Sequence, residues 1–229
     1  MGKTALIAGA TGLVGREVVR LLLSDPHYDK VKVVARRTTD IKDNRLVEII
    51  IDFDSLKENS DKLSASDYYI VLGTTMSKAR TKENFYKVDF TYPHHLAEIA
   101  QKDPSFEKYL IVTAYSASTS SSIYYNRVKG EIEEALKKLN LKALHIFQPS
   151  LLIGFRPEFR ILEELMKLVM PILTFVTFGQ LKFRAIEGIE VAKAMLKVGI
   201  EGKDGIHVYP NNIIKELAVS SLPPEDVAK

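Results

Sequence analysis

The chain of 229 residues contains no cysteine and no tryptophan. The lack of cysteine excludes disulfide bonds, thiolate metal sites and a cysteine nucleophile. The net charge is only +3, from 32 basic and 29 acidic side chains that are interspersed, so we expect no nucleic-acid partner. The first residues lead into an apolar strand pattern without the basic segment of a secretory signal. We therefore expect a cytoplasmic protein.

Long uninterrupted apolar runs are also scarce. The longest, residues 165–181, contains Lys167 and Pro171 and is too short for a typical transmembrane helix, so we predict no membrane span. Its apolar part, residues 165–178, has three interpretations: the core of a small cap, an apolar wall over a small-molecule substrate, or a contact with a membrane surface or with the second subunit of a homodimer. The first is the commonest role for such a run, but the pattern does not decide between them.

Apolar strand patterns alternate with amphipathic helix patterns along the chain. The predicted strands cover residues 3–9, 31–36, 46–53, 68–74, 108–114 and 141–154, and the predicted helices cover 13–24, 82–102 and 120–140. Pro93 predicts a kink or a break in the second helix, and the serines at 120–122 are able to cap the third. Buried strands separated by helices are typical of a parallel sheet covered on both faces. We therefore predict an α/β, Rossmann-like fold with a doubly wound parallel sheet.

The end of the chain is less regular than its beginning. We predict a single domain over residues 1–229, with a core over 1–155 and a small C-terminal cap over 156–229 on the substrate side. Within the cap, the pattern predicts helices around 158–170 and 187–198 and then a short strand, GIHVYP.

The stretch GATGLVG, residues 9–15, lies where the first strand meets the first helix. We predict that Gly9 makes the tight turn, that Gly12 lets a pyrophosphate approach the backbone, and that Gly15 lets the helix pack closely on the strand. The helix N-terminus then binds the phosphates, with further contacts from Thr11, Leu13 and Val14. A tight turn without a ligand is the alternative.

Two arginines, Arg36 and Arg37, follow the second strand. An acidic residue is expected there when a protein binds the ribose 2′-hydroxyl of NAD(H), whereas guanidinium groups suit a 2′-phosphate. This favours NADP(H) over NAD(H), although solvated loop charges are the alternative. Further cofactor contacts are predicted at the ends of later strands, namely at Asp52 and Phe53 beside the adenine and at Gly73, Thr74, Thr75 and Pro149.

Tyr125 and Lys129 lie four residues apart in a predicted helix and therefore share one face. An ammonium group near a phenol stabilises the phenolate. Such a tyrosine can exchange a proton with a substrate oxygen while a cofactor carries a hydride. As an isolated pair the two would be ordinary surface residues, but their position after the fifth strand of a dinucleotide-binding sheet favours catalysis.

These motifs together resemble those of the atypical short-chain dehydrogenase/reductase superfamily, in particular its NAD(P)H-binding group similar to the human Tat-interacting-protein-type oxidoreductase. The resemblance rests on GATGLVG, Ala-Arg-Arg, LGTT (72–75) and YNRVKGEIE (125–133), and it covers residues 3–155 well. It implies a Rossmann domain, NADP(H) binding and a Tyr–Lys pair with a serine near the end of strand five. The residues there read Thr113-Ala114-Tyr115-Ser116, so the implied hydroxyl falls to Thr113 or Ser116. The family's arginine before the proline of strand six is Gln148 here.

The motifs predict an NADP(H)-dependent oxidoreductase that acts on a carbonyl or alcohol through Tyr125 and Lys129. One alternative is a redox sensor or regulatory protein that binds NADP(H) with little or no turnover, which the departure at the expected serine supports. Another is a flavin or quinone reductase with the same cofactor site. The five histidines are scattered, and the neighbours His94 and His95 would point in different directions on a helix, so we predict no metal site.

Overall fold

A parallel sheet of seven strands lies at the centre of the part of the chain that the computed structural model describes, residues 2–153 and 185–220. Its strands are β1 (Lys3–Ala8), β2 (Tyr28–Ala35), β3 (Leu46–Ile50), β4 (Asp67–Ile70), β5 (Lys108–Val112), β6 (Ala143–Gln148) and β9 (Gly205–Pro210). Their spatial order is β3-β2-β1-β4-β5-β6-β9, and every neighbouring pair is parallel. Two short strands, β7 (Leu152–Ile153) and β8 (Ile186–Glu187), pair separately.

Helices cover both faces of the sheet. They are α1 (Leu13–Ser24), α2 (Met76–Ala79), α3 (Lys82–Tyr86), α4 (Tyr92–Lys102), α5 (Tyr124–Lys138), α6 (Gly188–Glu201) and α7 (Asn211–Val219), with 3₁₀ helices at Phe53–Ser55 and Lys57–Leu63 and a π-helical turn at Lys87–Thr91. In β1, Ala5 and Ile7 pack into the core on one face, while Leu6 and Ala8 pack into the core on the other. This alternation follows from the two-residue period of a strand.

The α/β, Rossmann-like prediction is confirmed by this topology. The strand order reverses between β1 and β4, so the chain leaves the carboxyl ends of these two strands in opposite directions. A crevice forms at such a switch point, and ligands of doubly wound sheets bind there. The loops after β1, β2, β4 and β5 all begin at this edge. Most of the candidate site residues predicted from the sequence lie in or beside these loops.

Some predicted elements differ from the observed ones. β3 ends at Ile50 because Asp52 accepts the N–H of Asp54 at 2.9 Å and caps a 3₁₀ helix. The break predicted at Pro93 is wrong: a π-helical turn, Lys87–Thr91, lies directly before α4, and Thr91 and Tyr92 keep helical backbone angles, so the helix continues through the proline. The serine cap of the third helix is wrong: α5 starts after Ile123, and no side chain caps it.

The predicted cap boundary is also wrong for part of its range. Residues 205–210 form β9, which pairs in parallel with β6 at the edge of the main sheet. α6 packs against α1, since Val191, Met195 and Val198 join the same apolar core. Residues 188–219 therefore complete the Rossmann layers and do not cap them. The predicted helix at 158–170 and the run 165–178 lie outside the described residues.

Candidate functional site

The glycine turn between β1 and α1 has the conformation that a close backbone approach requires. Gly9 has a φ of 101°, in the left-handed region, and a Cβ there would lie 2.6 Å from the carbonyl oxygen of Val71. The N–H of Gly12 donates to the Gly9 carbonyl at 3.0 Å. α1 then begins at Leu13 with no side-chain cap on Gly12 and no acidic residue in the first turn. This helix end offers backbone amides and the positive end of its dipole to an anion.

The other residues of the motif divide between surface and core. Thr11 and Gly12 are exposed, Leu13 is half-buried, and Val14 is buried with α1 in the core. Contacts from Thr11, Leu13 and Val14 to a cofactor stay a prediction, since any contact from Val14 would come from its backbone.

Replacing Gly15 by alanine is expected to separate α1 from β1. A Cβ on Gly15 would overlap the carbonyl oxygen of Gly9, which is backbone and has little freedom to move. We expect the free energy of unfolding to fall by about 1–3 kcal/mol, as for other overpacked sites, measured by urea denaturation. Gly12→Ala is the matched control, because its Cβ would meet only the Gly9 oxygen, at 3.3 Å. Equal stability of both variants would contradict the close packing of this turn.

Arg36 and Arg37 are exposed at the carboxyl end of β2. The next two residues turn back toward β3. The Thr38 hydroxyl donates to Glu48 Oε2 at 2.7 Å, and the Thr39 N–H and hydroxyl donate to Glu48 Oε1 at 2.6 and 2.5 Å. These hydrogen bonds, those of Thr39 first, hold the pKa of Glu48 below its ordinary value, so this carboxylate is ionised at neutral pH.

The candidates at the ends of later strands have mixed environments. Asp52 is exposed, but the Phe53 ring is buried in the core with its centroid 5.4 Å from that of Tyr92. Thr75 accepts the N–H of Lys78 and caps α2. Pro149 is buried, and its carbonyl accepts the N–H of Tyr115 at 3.0 Å. Their roles in cofactor binding stay predictions, and for Phe53 the buried ring limits what it can contact.

Lys129 and Asp89 form a buried ion pair. Lys129 Nζ lies 2.7 Å from Asp89 Oδ1, and the two side chains are 5% and 0% exposed. The second oxygen of Asp89 accepts the N–H of Thr74 at 3.0 Å. Asp89 thus joins the helix that carries Lys129 to the loop that follows β4.

Electrostatics keep Lys129 protonated. Burial alone lowers the pKa of Lys129, but the charge of Asp89 first and the interaction with Tyr125 second outweigh it, and the pKa is raised above 10.5. A Cβ on Gly73 would lie 3.9 Å from Lys129 Nζ, so the ammonium lies at the end of β4, at the edge of the crevice. Of the predicted site residues, the structure brings Gly73, Thr74 and Lys129 together.

Tyr125 lies one turn before Lys129 on α5. Its side chain is 37% exposed, and its ring packs edge-on against the buried ring of Phe85, with centroids 5.8 Å apart. The neighbouring Tyr124 is oriented differently, because its hydroxyl donates to the carbonyl of Lys82. Tyr125 is therefore the accessible phenol beside the buried ammonium.

Comparison with known proteins places this chain in a family. The model of the NAD dependent epimerase/dehydratase family matches residues 5–145. The chain belongs to this family. Among solved structures, it resembles MoeE5 in complex with UDP-glucuronic acid and NAD (TM-score 0.68, 17% identity, 90% of this chain and 75% of that one). It also resembles the human epimerase family protein SDR39U1 with NADPH (TM-score 0.60, 14% identity, 90% and 74%). Membership of the atypical short-chain dehydrogenase/reductase superfamily is thus confirmed.

Curated relatives correct one expectation about this epimerase/dehydratase family member. Protein fmp52-1, mitochondrial, of Aspergillus terreus is 31% identical over 211 residues, 90% of each chain. Protein FMP52, mitochondrial, of Candida albicans is 29% identical over 207 residues, 88% of this chain and 90% of that one. Both are named as mitochondrial proteins, so the cytoplasmic prediction is wrong. Within residues 2–153 and 185–220, no helix has the length and apolarity needed to cross a bilayer.

The two hydroxyl candidates differ in what surrounds them. Thr113 is buried, and its hydroxyl donates to Glu133 Oε1 at 2.5 Å. Gln148 Nε2 donates to both oxygens of Glu133, at 3.0 Å each. Burial raises the pKa of Glu133. Ser116 is exposed. The Thr113 hydroxyl is thus occupied by a buried carboxyl group, whereas that of Ser116 is accessible.

Sequence reasoning missed three acidic residues of this region. Glu133 follows Lys129 by four residues, so the helical period that linked Tyr125 to Lys129 was a signal for it. Asp89 contacts Lys129 on a different helix, and Glu48 contacts Thr38 and Thr39 in the loop before its own strand. Neither contact follows a helical or strand period, so no local pattern marks these two residues. Each of the three acidic side chains forms a hydrogen bond or an ion pair with a predicted site residue or with the loop beside one.

Proposed function

We propose that this protein is an oxidoreductase that uses NADP(H) to interconvert a carbonyl and an alcohol, with Tyr125 as the proton donor and acceptor. The observation that carries the proposal is the arrangement at the carboxyl edge of the sheet. The accessible phenol of Tyr125 lies one helical turn from a protonated Lys129, and Asp89 holds that lysine beside Gly73. The glycine turn after β1 opens at the same edge.

The residues around the glycine turn fit a dinucleotide. The turn at Gly9 has a left-handed backbone with no room for a Cβ, and the uncapped N-terminus of α1 suits a pyrophosphate. Similar folds carry either NAD or NADPH, as MoeE5 and SDR39U1 do. The preference for NADP(H) that we propose therefore rests on Arg36 and Arg37, whose guanidinium groups are exposed and suit a 2′-phosphate.

The protein's own residues handle the proton. When bound, the nicotinamide cofactor supplies or accepts the hydride. In the reductive direction the Tyr125 hydroxyl gives its proton to the substrate oxygen, and the Lys129 ammonium stabilises the phenolate that remains. Asp89 is a positioning residue, since it fixes Lys129 and contacts the loop after β4. Ser116, rather than Thr113, has the hydroxyl able to donate to the substrate oxygen.

Nucleotide binding is the experiment that tests this proposal. NADPH and NADH are titrated into the protein, and the fluorescence of the nucleotide is followed, which is convenient because the chain has no tryptophan. We expect NADPH to bind more tightly. Replacing Arg36 and Arg37 by alanine is expected to weaken NADPH at least about tenfold, since hydrogen bonds to charged groups contribute about 1.5–3 kcal/mol each, while NADH changes little.

Arg20→Ala is the control for this titration. Arg20 is an exposed arginine of α1 that pairs with Glu17, so its loss removes one arginine charge away from the predicted nucleotide site. Failure of the wild-type protein to bind either nucleotide at micromolar concentrations would refute the proposed function. Equal binding of both nucleotides would refute the preference alone.

A regulatory protein that binds NADP(H) without turnover is the second candidate. The observation that favours it is the bond from Thr113 to the buried Glu133, which leaves no accessible hydroxyl at that position of strand five. It predicts nucleotide binding without turnover of any member of a broad carbonyl panel. The flavin or quinone reductase alternative shares the same cofactor site, and it is supported by the fold alone.

A further inference from the structure

The loop that carries Arg36 and Arg37 contains a group of hydrogen-bond donors that bind the protein's own Glu48 carboxylate. Three donors from two consecutive residues, the hydroxyl of Thr38 and the N–H and hydroxyl of Thr39, converge on the two oxygens of Glu48. Asp40 closes the turn with a φ of 60°, and its N–H approaches the Thr38 hydroxyl at 3.3 Å. A backbone amide and hydroxyls in such a turn are also what binds phosphate oxygens.

Glu48 reaches this loop from the neighbouring strand. It lies in β3, where it pairs with Val33 of β2, and it is half-buried. The sequence alone shows no acidic residue at the tip of β2, which is the reason for expecting NADP(H). Folding places an ionised carboxylate directly against the two residues that follow Arg36 and Arg37.

We propose that Glu48 is a selectivity-determining residue that limits the preference for NADP(H) over NAD(H), because its carboxylate occupies the Thr38 and Thr39 donors and repels a 2′-phosphate bound by Arg36 and Arg37. This inference rests on the proposed function, since it requires a nucleotide at the carboxyl edge of the sheet. The 2′-phosphate is the group that distinguishes the two cofactors, and it is dianionic or nearly so at neutral pH. NAD(H) has a neutral hydroxyl there and feels little of this repulsion.

Glu48→Gln is the direct test, because it removes the charge and keeps the size of the side chain. We expect the NADPH dissociation constant to fall about fivefold, the size of one charge–charge repulsion in a largely aqueous setting, with NADH within about twofold. The ratio of the two constants is measured by nucleotide fluorescence. Glu134→Gln is the matched control, since it removes the same charge from the exposed face of α5, where Glu134 pairs with Lys137.

Salt dependence separates this electrostatic role from simple support of the loop. The difference between wild type and Glu48→Gln in NADPH affinity is expected to shrink as salt is raised, because screening weakens a charge–charge repulsion at the protein surface. A loop that had only lost its support would bind NADPH more weakly at every salt concentration, and that result would overturn the inference. Glu48→Thr, an uncharged residue suited to an edge strand, provides the same test if Glu48→Gln does not fold.

The outcomes for the two proposals are distinguishable. If the wild-type protein binds both nucleotides and Glu48→Gln leaves their ratio unchanged, the role of Glu48 is refuted while the proposed function stands. If the wild-type protein binds neither nucleotide, both proposals fail. A fall in the NADPH dissociation constant relative to that of NADH, seen in Glu48→Gln and not in Glu134→Gln, supports the inference.

Discussion

Tyr125→Phe is expected to lower turnover of a carbonyl substrate by about 10²–10⁴-fold, the usual contribution of a positioned general acid. Phenylalanine keeps the ring that packs against Phe85 and loses only the hydroxyl. Nucleotide binding should therefore remain close to that of the wild-type protein. The measurement is the loss of NADPH absorbance with a panel of aldehydes and ketones, alongside the nucleotide titration.

Tyr124→Phe provides the matched control for that variant. The two tyrosines are adjacent in α5, but the Tyr124 hydroxyl donates to the Lys82 carbonyl, whereas Tyr125 interacts electrostatically with Lys129. Turnover of Tyr124→Phe should stay near the wild-type value. If Tyr125→Phe retained full turnover, Tyr125 would not be the acid and base. If the wild-type protein bound NADPH and turned over no substrate, the regulatory candidate would be favoured.

Asp89→Asn is expected to destabilise the protein by about 3–5 kcal/mol, because it removes one partner of a fully buried ion pair. Lys129 would remain in the interior as an uncompensated charge. Asparagine keeps an oxygen that can accept the Thr74 N–H, so the loss reports mainly on the charge. Urea denaturation measures the free energy of unfolding, and turnover should fall because Lys129 is no longer held beside Tyr125.

Two further variants make the test of Asp89 specific. Lys87→Ala breaks an exposed ion pair with Asp54, and its effect on the free energy of unfolding should be much smaller than that of Asp89→Asn. Adding Lys129→Met to Asp89→Asn removes the stranded charge, so part of the lost stability should return while turnover does not recover. A loss below about 1 kcal/mol in Asp89→Asn would contradict the desolvation of the pair.

Local patterns in the sequence predicted the elements that depend on short-range physics. α1 covers Leu13–Ser24, the range expected from its apolar period, and the turn before it contains the left-handed Gly9. These features follow from steric limits on a few consecutive residues and from the periods of helix and strand. The sequence therefore determined the glycine turn, the alternation of strands and helices, and the shared face of Tyr125 and Lys129.

Contacts between distant segments decided the rest. Whether GIHVYP caps the site or extends the sheet depends on its pairing with β6, and its own composition suits either role. Likewise, Asp89 reaches Lys129 only after their two helices have packed together, and Glu48 reaches the arginine loop through the pairing of β3 with β2. Burial and charge at these carboxylates are properties of the packed molecule, because they depend on which side chains exclude water around them. For that reason the tertiary structure alone shows which acidic groups hold the lysine and face the proposed 2′-phosphate site.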